Sequence, residues 1–230
     1  MRAAGSEPVV GHSGGVERPL LAAPRFALAL AALFVLVMAA IGVDVAGNTE
    51  AGPFDQAVFD VLTRRPDLAV PLTLCTHPAA MIAIMAAMVA IALRAGRPRV
   101  AALAVLGPVV AAGINTVVLK PLFDRTHEDS LAYPSGHTTT LVAILAVLVL
   151  VAAANATPGR AVATAAIALV LVAVGAGAII GREFHYLTDT VGALFWGVAV
   201  VIVLAALIDF AAQRVGDPPS VQPPLESTSR

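Results

Sequence analysis

A single cysteine, Cys75, in 230 residues leaves no partner for an intrachain disulfide and too few thiols for a cysteine-based zinc site. Its place in or beside an apolar segment gives it the role of a small buried hydrophobe. Charge is scarce as well. Asp, Glu, Lys and Arg make up 13% of the chain, about half their usage in soluble domains, while 59% is hydrophobic and mean hydropathy is +0.89. Such a chain is an integral membrane protein. The few charges nearly cancel, with a formal net of −1 and a pI near 6.5, and the arginines are scattered rather than gathered on one face. That excludes the basic footprint of a nucleic-acid binder.

Residues 1–24 mix Gly, Pro, Ser and charge without periodicity and read as a mobile tail, as does the Pro-rich end from 214 to 230. Between them, over 25–213, six apolar runs approach membrane-spanning length: Phe26 to Val45, Ala69 to Leu93, Val100 to Leu119, Thr138 to Ala154, Ala161 to Ile180 and Val191 to Phe210. The pattern predicts an all-α six-helix membrane bundle. The first run follows a long acid-containing leader with no small-residue cleavage site, so it is expected to be an uncleaved anchor. Thr76-His77-Pro78 predicts a kink in the second run or its true start. Between the first two runs, Phe54, Val58, Val61 and Leu62 recur at helical spacing opposite Asp55 and Asp60, which predicts a short interfacial helix.

Three polar clusters stand where apolar runs end or begin. Pro134-Ser135-Gly136-His137 sits directly before the fourth run, placing a hydroxyl, a bare backbone turn and an imidazole at a helix N-terminus. The unpaired N–H groups and positive dipole end there favour phosphate oxygens. Lys120 closes the third run and Arg125 follows five residues later, two fixed cations suited to gripping phosphate, although a helix-end lysine also snorkels to the interface for no chemical reason. His185 and Asp189 are four residues apart, which stacks them on one helical face. The carboxylate can then fix the imidazole tautomer and leave the other ring nitrogen as nucleophile or base, or Asp189 and Thr188 can simply cap the helix. Antiparallel connection brings all three clusters to the same membrane face.

In their order, these clusters resemble the type 2 phosphatidic acid phosphatase superfamily over roughly Val100 to Phe210. The family pattern is Lys, six residues, Arg-Pro; then Pro-Ser-Gly-His; then Ser-Arg, five residues, His, three residues, Asp. Pro134-Ser135-Gly136-His137 and the His185 to Asp189 spacing are intact. Counting from Lys120, the Arg-Pro position falls on His127-Glu128, so Arg125 stands two residues early as a substitute. Counting back from His185, the family's Arg falls on Ile179, and Arg182 follows three residues later, about 300° and 4.5 Å further along a helix and so near the same face.

The resemblance implies attack on phosphorus by His185, orientation by Asp189, and protonation of the leaving oxygen by His137. Lys120, Arg125, Ser135, Gly136 and Arg182 would bind the phosphate, and no cofactor or metal is implied. The residues alone allow similar roles, since two imidazoles can divide nucleophile and acid work near neutral pH. Asp124, Glu128 and Asp129 are read as a solvated acidic loop rather than a cation site. His77 reads as a locally bonded helix-start histidine or part of an access path, Asn115 and Thr116 as interhelical hydrogen-bonding groups, and Phe195 and Trp196 as packing or lipid-facing groups.

Lys and Arg in the flanks divide nine to five in favour of a cytoplasmic N-terminus, with both termini inside and the three clusters outside. The expected protein is therefore a multi-pass cell-membrane phosphatase acting at the extracytoplasmic face on a lipid phosphate or diphosphate. By analogy with carrier recycling in this family, an isoprenoid diphosphate such as undecaprenyl diphosphate is favoured. Phosphatidate or phosphatidylglycerophosphate is the nearer alternative, and a catalytically weak lipid-binding or transport protein is a different class.

Overall fold

Proline sets most of the helix starts. In a computed structural model, which describes residues 17–64 and 66–216, helices α1 (Pro24–Val45), α2 (Pro53–Leu62), α3 (Pro66–Leu72), α4 (Pro78–Arg94), α5 (Pro98–Ile114) and α8 (Pro158–Gly181) all open on it. At the first helical position its missing N–H costs nothing, and its fixed φ suits the helix. The remaining helices are α6 (Lys120–Phe123), α7 (Gly136–Asn155) and α9 (Leu187–Gly216). A π-helical turn, Asn115–Leu119, fuses α5 and α6 into one span.

Six spans among the described residues are long and apolar enough to cross a membrane: Pro24–Val45, Pro66–Arg94, Pro98–Phe123, Gly136–Asn155, Pro158–Gly181 and Leu187–Arg214. The protein is an all-α, multi-pass membrane bundle. The second span is broken where Thr76-His77-Pro78 predicts it. A 3-10 turn, Thr73–Thr76, ends the α3 segment, and His77 is both the extended residue at the break and the N-cap of α4.

α7 and α9 form the centre. With α5 and α1 they enclose Leu103, Ala104, Ala111, Ala143, Val147, Ala199, Val201 and Ala205, while Met81, Leu141, Ile144 and Val172 join α4, α7 and α8. Small residues set this spacing: a Cβ added at Gly197 would lie 2.8 Å from Val142 and 3.1 Å from the Thr139 carbonyl oxygen of α7. Lipid tails are as apolar as these side chains, so such close backbone packing, not water exclusion, holds the helices together. Phe26, Leu36, Ile91, Val117 and Val170 face outward, as lipid-exposed positions should.

Asn115 of the π-turn donates from Nδ2 to Thr139 Oγ1 at 3.0 Å, the expected interhelical bond, whereas Thr116 is exposed. Trp196 donates to the Ala111 carbonyl at 2.9 Å and Phe195 meets Phe34 edge-on, so both aromatics pack. Cys75 is half-buried rather than buried, its thiol turned back to the Leu72 carbonyl.

The N-terminal tail ends earlier than the expected boundary at residue 24. The Leu20 and Leu21 side chains are buried and their N–H groups each donate to the Asp209 carboxylate of α9 at 3.0 Å. Arg99 lies 3.6 Å from Asp209 and 3.9 Å from Glu17. A buried carboxylate needs such donors, and the chain supplies them by folding Glu17 to Leu21 across the end of the bundle. Residues 1–16 and 217–230, the remainder of the two expected tails, lie outside the described residues.

Candidate active site

The entry to α7 is fixed by its own residues. After a cis Tyr133-Pro134 bond, Ser135 becomes the N-cap, its hydroxyl accepting the Thr138 N–H at 3.4 Å. The Ser135 N–H donates to the Asp189 carbonyl at 3.0 Å, which fastens the start of α7 to the first turn of α9. Tyr133 is fully buried beneath this corner, and its hydroxyl donates to the Met38 carbonyl of α1. Burial first, and Asp189 second, push its phenol well above the usual range, so it stays a donor. Gly192 permits the fit, since a Cβ there would come within 2.5 Å of the Tyr133 ring.

Ser135 was expected to offer its hydroxyl to phosphate. It is instead buried and turned into the helix as a cap. The backbone of the same turn remains available. Gly136 has nothing within 4 Å of where a Cβ would stand, and the N–H groups of Gly136 and His137 have no acceptor among the described residues. Those are orphan donors of a helix start, at the positive end of its dipole.

His185 and Asp189 meet as the spacing requires. His185 Nδ1 lies 3.4 Å from Asp189 Oδ2, and the same oxygen accepts the Tyr186 N–H at 2.9 Å. Asp189 is fully buried and His185 is 8% exposed. His137 lies within electrostatic reach of His185 and Lys120, and Lys120 within that of Asp189, so the four groups share one environment. Lys120 also donates to the Leu131 carbonyl.

Arg125 corrects an expectation. Its side chain is 1% exposed, with one terminal nitrogen 2.8 Å from Asp189 Oδ1 and the other 2.8 Å from Asp55 Oδ2. It also reaches the Thr188 hydroxyl and lies 4.9 Å over the Tyr186 ring. Two carboxylates outcompete an open pocket for the guanidinium, because an unpaired charge at such depth is costly. Arg125 therefore braces Asp189 from behind instead of reaching toward the phosphate position.

Asp55 is the residue that the sequence did not disclose. Phe54 and Val61 of α2 are exposed, as an interfacial helix needs, but Asp55 turns into the protein and is 3% exposed. Its Oδ1 accepts the Thr188 N–H at 2.9 Å and its Oδ2 the Thr188 hydroxyl at 2.6 Å. A carboxylate from another element thus satisfies one free N–H group at the start of α9. Its only local signal is an acidic residue in the first turn of a short amphipathic helix.

A hairpin crosses the site, β1 (Thr126–His127) pairing with β2 (Ser130–Leu131). Glu128 and Asp129 form its turn with φ of 46° and 62°. His127, where counting from Lys120 had put the expected arginine, hydrogen-bonds the Glu183 carbonyl at 2.6 Å and packs tilted against Tyr186, ring centroids 4.5 Å apart. No three metal-ligating side chains cluster among the described residues.

Arg182 ends α8 and opens on a pocket of about 200 Å³ that it shares with His137 and His77. His77 both caps α4 and lines that pocket, combining the two roles open to it.

Residues 120–212 match the family model described as the PAP2 superfamily. The matched segment carries every expected site residue from Lys120 to Asp189, while Asp55 and His77 lie outside it. No curated protein and no solved structure matches the chain.

Proposed function

We propose, from the match of residues 120–212 to the PAP2 superfamily model, that the protein is a membrane phosphatase acting on a lipid phosphate or diphosphate. The observation that carries this reading is the buried His185–Asp189 pair beside the open start of α7. With Nδ1 held toward Asp189, the imidazole keeps the proton there and presents Nε2 as the nucleophile. His185 Nε2 bonds to phosphorus, the bond to the leaving oxygen breaks, and His137 gives that oxygen a proton. Water then breaks the N–P bond and releases orthophosphate. Lys120 and the free N–H groups of Gly136 and His137 stabilise the charge on the equatorial oxygens, with Arg182 at the pocket edge.

Among lipid phosphates, an isoprenoid diphosphate such as undecaprenyl diphosphate is favoured at an extracytoplasmic site, and phosphatidate or phosphatidylglycerophosphate is the nearer alternative. A second reading, lipid binding or transport with weak hydrolysis, draws support from the commitment of Arg125 to two carboxylates, which leaves one fewer cation for phosphate. Phosphate release from a detergent-solubilised lipid diphosphate in EDTA separates them. Turnover in the wild type that is lost in His185→Ala supports the enzyme. Binding without turnover favours the second reading, and turnover abolished by EDTA returns the acidic hairpin to consideration as a metal site.

A further inference from the structure

The pocket beside His137 brings together an arginine and a further side-chain donor that attack on one phosphorus does not require. It is lined by Thr73, Thr76 and His77 ahead of α4, by His137, and by Arg182 and Phe184 after α8, with no carboxylate in its wall. Arg182 forms no ion pair among the described residues and lies 5.3 Å over the Phe184 ring, which orients the guanidinium without neutralising it. His77 commits only one ring nitrogen. Its Nδ1 accepts the Ala79 N–H at 3.2 Å, so in the neutral ring Nε2 bears the proton and is a donor on an exposed side chain.

His137 stands at the boundary. It neighbours His185 and Lys120 on one hand and lines the pocket on the other, whereas neither His185 nor Lys120 lines it. In an in-line displacement the attacking and leaving atoms lie on opposite sides of phosphorus, and the group that protonates the leaving oxygen lies on the leaving side. With His185 as nucleophile and His137 as acid, the leaving group enters the space between His77 and Arg182. An alcohol leaving from a monophosphate has no use for a guanidinium and a second N–H donor. A phosphoryl group does.

We infer that His77 and Arg182 form a leaving-phosphate subsite, so that the protein takes lipid diphosphates in preference to lipid monophosphates. This rests on the phosphatase reading above. His185 Nε2 bonds to the terminal phosphorus as the bond from that phosphorus to the bridging oxygen breaks. The electron pair goes to the bridging oxygen, His137 supplies its proton, and the lipid monophosphate departs from His77 and Arg182. Water then hydrolyses the phosphohistidine.

The test compares kcat/KM for phosphate release from farnesyl diphosphate and farnesyl monophosphate by the full chain in detergent, with His77→Asn and Arg182→Gln. Asn keeps an oxygen to accept the Ala79 N–H, so the α4 cap survives. Wild type is expected to prefer the diphosphate, and the diphosphate-to-monophosphate ratio is expected to fall about tenfold or more in each variant, the cost of one lost charge-assisted hydrogen bond. An unchanged ratio in either variant overturns the subsite, as does a wild-type preference for the monophosphate. Phosphate release from neither substrate by wild type removes the phosphatase reading itself, and full turnover by His185→Ala removes His185 as its nucleophile.

Discussion

In the proposed site, His137 and Asp189 stand under opposite structural constraints. Asp189 is fully buried and contacts Arg125, the Tyr186 N–H and His185, so changing it alters structure and chemistry together. His137 is exposed on the first turn of α7 and accepts no fold-determining bond. His137→Gln is therefore expected to lower kcat by about 10²–10⁴, the usual worth of a general acid, with thermal stability within about 0.5 kcal/mol of wild type. Phosphate-release assays and a thermal melt in the same detergent check this, and a variant that loses stability in proportion to activity contradicts it. Glu183 offers the reverse case. It ends α8 in the left-handed region at φ 63°, while Phe184 donates to the Ile179 carbonyl and Glu183 to the Ile180 carbonyl, a Schellman arrangement usually built on glycine. Glu183→Gly should stabilise the fold by about 1 kcal/mol, the penalty of a side chain in that conformation. A lowered melting temperature would mean that the Glu183 side chain has a role the backbone does not explain.

At the scale of elements, α2 shows what local sequence can and cannot announce. Its apolar spacing was readable, and Phe54 and Val61 do lie on the exposed side. The partners of Asp55 were not, because Arg125 and Thr188 lie 70 and 133 residues away and nothing near Asp55 marks them. The same limit governed Arg125, whose cationic side chain suited phosphate until two carboxylates from distant segments were found around it. By contrast, the His185–Asp189 contact is a property of four-residue helical spacing, and the break at His77 is written in the following proline. Asp55→Ala would leave Arg125 with one buried counter-ion and the α9 start without its acceptor. A loss of about 3–5 kcal/mol is expected, as for other broken buried pairs. Chemical or thermal unfolding in detergent measures it, and a loss below about 1 kcal/mol, the worth of an exposed pair, would show that the contact is not buried in solution.

For the whole molecule, alternating helix direction explains why Lys120, Ser135, Gly136, His137, Arg182, His185 and Asp189 come to one end. The third and fifth spans finish, and the fourth and sixth begin, on that face. The opposite end holds a second polar assembly, Glu17, Arg99 and Asp209, with the backbone of Leu20 and Leu21. We propose that the second end meets the cytoplasm, since among the described residues seven arginines flank it and four Lys and Arg flank the first. Cys75 is the sole thiol, so replacing it by Ala gives a background for single-cysteine labelling. Glu50 is exposed between α1 and α2 at the site end, and Thr157 is exposed before α8 at the other, where its side chain makes no cap bond. Glu50→Cys should react with a membrane-impermeant maleimide on intact cells, and Thr157→Cys only after permeabilisation. The reverse pattern would put the site in the cytoplasm and remove the argument for recycling a carrier on the outer face, while leaving the hydrolytic chemistry of the two imidazoles untouched.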